Sequence, residues 1–194
     1  MARTKAFNPE EKLTIAMMLF WEKGYDGTSM QDLVSTMEVN RFSIYNTFGD
    51  KEALFFKALQ HYGEHVFTPL LIPLMVGDSG MCQIEKYFEN LSQRLAGLRI
   101  KAGCFLQNAI QEAAVNNPEV RPYVVALFHQ MHNAFRLALE EGKRKAEFTD
   151  SLDIQEGTEF LIMQVQALIV MQKQVSPERL LANTTFMLSN VRSW

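Results

Sequence analysis

The sequence predicts an all-α fold, and three observations carry that prediction. Three segments begin alike: Asn8-Pro9-Glu10-Glu11, Asn117-Pro118-Glu119 and Ser176-Pro177-Glu178 each place a capping side chain, then proline, then acid. Proline at the first helical position loses no intrahelical bond, and the acid complements the positive helix end. Apolar residues recur three and four apart through most of the chain, which is the spacing of one helix face. No stretch shows the two-residue alternation of a convincing strand. About nine helices account for the sequence, three in an N-terminal head and the rest in a larger C-terminal body.

The helix opened by Asn8 carries Leu13, Ala16, Met17, Phe20 and Trp21 and ends near Lys23-Gly24. Thr28 is a candidate N-cap for the next, with Gln31 to complete a capping box and Met30, Leu33, Val34 and Met37 on the apolar face. Asn40 caps a third helix whose inward positions are Ile44 and Phe48. Gly49 ends it. Asp50 then caps a fourth, which runs through Leu54, Phe55, Ala58, Leu59 and Tyr62 to about Phe67, before Pro69 and Pro73. The stretch from Leu71 to Gly80, with Pro73 and Gly77, reads as a loop. Further helices are expected from about Met81 to Leu98, Gly103 to Ala114, Pro118 to Lys145, Ile154 to Gln174 and Pro177 to Arg192.

The 194 residues are 47% hydrophobic and carry a net charge of −3, enough apolar material for one or two substantial cores. Two cysteines, Cys82 and Cys104, make no disulfide framework and suit a reducing compartment. The apolar runs are shorter than the roughly 20 residues of a membrane span, and MARTKAFNPEEK has no signal-peptide core. The expectation is a soluble, cytoplasmic protein with no membrane partner. No nucleophile–base–acid set and no phosphate-binding glycine loop is present, so nothing supports an enzyme. His61 and His65 stand four apart, and His129 and His132 three apart, but further ligands are lacking and no metal or cofactor is expected. Cys104 reads as a small buried thiol.

Residues 28 to 54 carry the functional signal. Two short helices joined by a tight turn form a helix-turn-helix unit, whose second helix presents its first turns to the DNA major groove. Here those turns offer Asn40, Arg41, Phe42, Ser43 and Asn46. Arginine bonds guanine bidentately, asparagine bonds adenine, and phenylalanine meets a thymine methyl. The Tyr45 and Thr47 hydroxyls suit phosphate oxygens. Thr28 and Ser29 lie at one helix N-terminus and Lys51 at another, where N–H groups also favour phosphate. Arg3 and Lys5 read either as a minor-groove arm or as a plain terminal tail. Against DNA stands the charge of residues 1 to 60, with seven Lys/Arg and eight Asp/Glu, because a nucleic-acid binder usually shows a basic footprint. A helical small-molecule-binding or protein-interaction module without DNA binding is the alternative at this point.

Residues 10 to 54 resemble the N-terminal domain of the TetR family of transcriptional regulators. The resemblance rests on Phe20-Trp21-Glu22-Lys23-Gly24-Tyr25, on Thr28-Ser29-Met30-Gln31-Asp32-Leu33, and most of all on the run from Ser43-Ile44-Tyr45 to Ala53-Leu54-Phe55. Gly103-Cys104-Phe105-Leu106 and Asn117-Pro118-Glu119-Val120-Arg121 are similar to one group of TetR-type ligand-binding domains. The resemblance implies a DNA-binding domain over residues 1–48 and a ligand-binding and dimerisation domain over 49–194. It implies base-edge contact for Arg41, Phe42, Ser43 and Asn46, and phosphate contact for Ser29, Tyr45, Thr47 and Lys51. The family often has glycine just before the valine that precedes the reading helix. Glu38 stands there in this chain, a poor choice where φ must be positive.

The family's C-terminal domain binds a small molecule, so a small apolar or amphipathic ligand is expected. Phe67, Phe105, Phe128, Met131, Phe135 and Met163, with the polar Gln107 and Gln166, are the candidate pocket residues. Core packing is the competing reading for each of the apolar ones. The last two helices carry Leu161, Val165, Leu168, Leu181, Phe186 and Leu188, more apolar surface than packing on one side requires. Pairing with a second copy buries the excess in a two-fold four-helix interface. The function expected is that of a ligand-responsive regulator, a repressor that binds a palindromic operator as a homodimer and is released by a small molecule.

Overall fold

The computed structural model describes residues 7–76, 80–98, 102–112 and 117–194; Arg3, Lys5, Gly77 and Ala114 lie outside them. Helix α1 (Pro9–Lys23) starts at its cap, where Asn8 Oδ1 accepts the Glu10 N–H at 3.1 Å. Helices α2 (Met30–Met37), α3 (Arg41–Phe48) and α4 (Lys51–Tyr62) follow. The Asn40 carboxamide oxygen accepts from Ser43 N–H at 2.8 Å, and Asp50 Oδ1 accepts from Ala53 N–H at 2.8 Å, so both expected caps are present. The capping box of α2 is formed one residue later than expected. Ser29, not Thr28, is the N-cap, and its partner is Asp32, not Gln31.

Of the stretch read as a loop from Leu71 to Gly80, Leu71 to Met75 is helical instead. A π-helical turn (Gly63–Phe67) follows α4, and α5 (Thr68–Met75) continues from it. Pro69 falls in the first turn of α5, where its missing N–H has no intrahelical partner to lose. Pro73 does interrupt the ladder, but α5 buries Leu71 and Leu74 and packs on α6. Tertiary burial overrides the local break. Then come α6 (Gly80–Gly97), α7 (Phe105–Glu112), α8 (Val120–Arg144), α9 (Ile154–Met171) and α10 (Pro177–Val191). Among the described residues there is no strand, and the fold is all-α.

Contacts divide the chain into two units: Met1–Val66 with Cys104–Val124, and Phe67–Gly103 with Val125–Trp194. By compactness the first unit is larger than residues 1–48, because α4 packs on α1 and α7 on α4. Its core is aromatic. Phe55 meets Phe20 edge-on at 5.1 Å and Phe105 at 5.5 Å, and Trp21 meets Tyr62 at 5.1 Å. Such pairs contribute about 0.5–1.5 kcal/mol each beyond burial. In the second unit α6 packs on α5 and α10. Tyr87, Phe88 and Phe135 pack together there, with Tyr87 and Phe135 4.8 Å apart.

Candidate nucleic-acid interface

The reading unit is set by what its first residues bury. Leu33 and Met37 of α2, Val39 of the turn, and Ile44 and Phe48 of α3 are buried. This holds the two helices together and turns the other face of α3 outward. That outer face carries Arg41, Phe42, Tyr45, Asn46 and Thr47, with Phe42 74% exposed. At that exposure the ring is open to a contact from outside the chain. Arg41 and Tyr45, one turn apart, support each other. Arg41 Nη2 donates to the Tyr45 hydroxyl at 3.4 Å, and the guanidinium lies 5.6 Å from the ring centroid.

Two expected contact residues are corrected. Ser43 is buried against the unit's interior, and its N–H belongs to the Asn40 cap. Thr28 is fully buried, and its hydroxyl donates to the Gly24 carbonyl at 2.7 Å. Neither side chain faces outward. Ser29 is exposed, but its hydroxyl is engaged by Asp32.

The acidic balance of the head has a structural account. Asp32 pairs with Lys23 at 3.0 Å and bonds Ser29. The Ser29 hydrogen bond first, and then Lys23, hold its carboxyl well below the usual carboxylate range. Asp50 caps α4. Both acids sit on helix N-termini, whose partial positive charge they offset. Glu38, the C-cap of α2, has φ 54° and ψ 37°, the left-handed region where glycine is at ease.

Helix α4 supplies two lysines near the reading unit. Lys57 Nζ donates to the Phe48 carbonyl at 3.0 Å and reaches Thr47 O at 3.5 Å, closing the negative end of α3. Sequence reasoning missed it, since the contact spans α3 and α4 and leaves no local signature. Lys51 Nζ lies 4.2 Å from the centroid of the Tyr25 ring. Burial, and then the carboxylates of Glu52, Asp50 and Asp26, push the Tyr25 phenol above its ordinary value.

The expected pocket residues fall in both units. Phe105 and Gln107 belong to the first unit and the other six to the second. Phe105, Met131 and Phe135 are core side chains, Phe105 against Phe55 and Tyr62, and Met131 and Phe135 against Tyr87. Phe67 is buried with its ring 6.0 Å from that of Phe128. Met163 is exposed and lines a surface cleft with Leu152, Glu156, Phe160 and Trp194. Of the expected interface residues, Leu161, Val165, Leu168 and Leu188 are buried within their own chain. Leu181 and Phe186 are exposed, and so are Met163 and Val170 of α9. Cys104 is buried, and burial raises its thiol pKa. No group of three or more metal-ligating side chains occurs among the described residues, and no helix is long and apolar enough to cross a membrane.

The capped helix pair and the exposed arginine, aromatic and amide face of α3 define a helix-turn-helix regulator. Residues 13–58 match the family described as bacterial regulatory proteins, tetR family, and residues 80–185 match the tetracyclin repressor-like C-terminal domain. The uncharacterized HTH-type transcriptional regulator YezE of Bacillus subtilis (strain 168) is 30% identical over 154 residues, 77% of this chain and 79% of that protein. The HTH-type transcriptional repressor ComR of Escherichia coli (strain K12) is 24% identical over 190 residues, 96% of this chain and 90% of that one. Among solved structures, a cysteine-substituted form of the TetR family transcriptional regulator CifR, complexed with 26-bp double-strand operator DNA, is similar with TM-score 0.81. It is 27% identical and covers 97% of this chain and 98% of that one. The chain belongs to the TetR family of transcriptional regulators. It is a ligand-responsive, DNA-binding regulator.

Proposed function

We propose that this regulator is a cytoplasmic repressor that binds a palindromic operator as a homodimer and leaves it when a small molecule binds. The observation that carries the reading is the outer face of α3, where Arg41, Phe42, Tyr45 and Asn46 stand exposed behind the capped turn at Asn40. Arg41 reads a guanine edge, Phe42 a thymine methyl and Asn46 an adenine. Tyr45, Thr47 and Lys51 hold phosphates. Helix α4, the π-helical turn and α5 follow one another in the chain from Lys51 to Met75. A ligand that prefers another geometry along this path alters the spacing of the two reading helices. It shifts the equilibrium only by its differential affinity for the two geometries.

Fluorescence anisotropy with duplexes from upstream of the protein's own gene tests the reading. Salt-sensitive, competitor-resistant binding to a palindrome is expected. Arg41→Ala should cost about 1–3 kcal/mol and relax specificity at one base position. Lys51→Ala should weaken every sequence alike. Absence of binding to any palindrome would leave a helical small-molecule module and overturn the proposal. Equal losses across sequences for both variants would reduce Arg41 to a phosphate contact.

A further inference from the structure

Helix α7 lies far along the chain from the reading unit, yet its last residue ends on the turn before α2. Glu112 Oε2 accepts the Tyr25 N–H at 2.8 Å. The turn is shaped for that carboxylate: Gly24 has φ +76°, and a Cβ there would run into both Glu112 oxygens. The same helix supports the Tyr25 side chain through one intermediary. Phe105 meets Phe55 edge-on at 5.5 Å, and Phe55 meets the Tyr25 ring edge-on at 5.0 Å. On that ring rests the Lys51 ammonium. Lys51 is the first residue of α4, where the positive helix end disfavours a cation. The face of a neutral phenol offsets that repulsion.

We infer that Tyr25 and Glu112 are positioning residues for the phosphate contact of Lys51. The inference rests on the DNA-binding reading above. Glu112 fixes the backbone of Tyr25, and the Tyr25 ring holds the lysine in place before DNA arrives. A lysine already held loses little rotamer freedom on docking, whereas a free one loses much of it. Any displacement of α7 therefore changes operator affinity through Lys51, without touching α3.

A double-mutant cycle tests this on the selected palindromic duplex across a salt series. Lys51→Ala and Glu112→Ala should each weaken binding by roughly tenfold, one tenfold step being one lost contact of ordinary strength. Lys51→Ala should also flatten the salt dependence by about one ion, whereas Glu112→Ala keeps the lysine charge and should leave the slope nearly unchanged. The double variant should bind no more weakly than Lys51→Ala alone, since Glu112 acts through that residue. Glu112→Gln keeps an acceptor oxygen and should restore binding. Tyr25→Leu keeps the N–H for Glu112 but removes the ring face, and should weaken binding as Glu112→Ala does. It decides the matter if Glu112→Ala fails to fold. Additive losses, or wild-type binding by Tyr25→Leu, would overturn the inference. Failure of the wild-type chain to bind any palindrome would instead overturn the function on which it rests.

Discussion

Glu38 holds a backbone conformation that its side chain disfavours. Its φ of 54° lies in the left-handed region, which costs a β-carbon residue about 1–2 kcal/mol. Glycine removes that strain while adding freedom to the unfolded chain. Glu38→Gly should therefore stabilise by up to about 1 kcal/mol, a rise of roughly 2–4 °C in Tm for a chain of this size. A fall in Tm would mean that the glutamate makes a contact worth more than the strain. His61 makes a second test. Its ring is buried, lies 2.8 Å from Thr14 Oγ1 and stacks 4.1 Å from His65. Burial first and His65 next lower its pKa, with Glu10 and Glu64 opposing. The unfolded chain then takes the proton more readily than the folded one. The stabilisation is complete above the ordinary histidine value of about 6.5 and is lost as pH falls through the lowered folded value. Urea midpoints should drop over that window in the wild type and flatten there in His61→Gln; parallel profiles would exclude His61 as the cause. The caps at Asn8, Asn40 and Asp50 were legible in the sequence because a cap depends on its own next turn. Thr28 and Ser43 were misplaced because burial, which is a tertiary fact, decided which way they face.

At the scale of elements, close approach matters more than propensity. The N-terminus of α6 meets α8 where Gly80 faces Ala138 and Gly142, and a Cβ on Gly80 would collide with the Ala138 carbonyl and the Gly142 backbone. Those atoms cannot swing aside as a side-chain tip can. The same helix end is held by Glu147, whose Oε2 accepts the Met81 N–H at 2.9 Å. Gly80→Ala should destabilise by about 1–3 kcal/mol, since the two helices must part to admit one methyl group. Thermal unfolding at unchanged helicity measures it, and an unchanged Tm would show that the crossing has room. Helix α5 shows why part of the fold was not legible. Its two prolines signal a break in any local reading, while its gain, the burial of Leu71 and Leu74 on α6, appears only once distant residues have assembled. Helices α6 and α8, expected at about Met81 to Leu98 and Pro118 to Lys145, needed no such partner to be recognised, because apolar spacing of three and four is written in the order of the residues themselves.

For the whole molecule the open apolar surface decides the assembly. The sequence marked Leu161, Val165, Leu168, Leu181, Phe186 and Leu188 together, but it did not separate the side chains facing their own core from those left outside. Leu161, Val165, Leu168 and Leu188 face inward, while Met163, Val170, Leu181 and Phe186 are exposed. If a second copy covers these two helices, Phe186, at 72% exposure, buries more on association than any of the inward four. A two-fold interface uses each residue twice, so one substitution removes two phenylalanine contacts. Full burial of such a side chain contributes about 1.5–3 kcal/mol. Phe186→Glu should therefore raise the dimer dissociation constant by on the order of 10²- to 10⁴-fold. The fold of each chain should survive, because the side chain meets solvent in the single copy. Sedimentation equilibrium should find monomers of native helicity, and operator binding should lose its palindrome requirement, because separated heads engage one half-site each. A Phe186→Glu protein that still sediments as a dimer would place the interface elsewhere on the second unit.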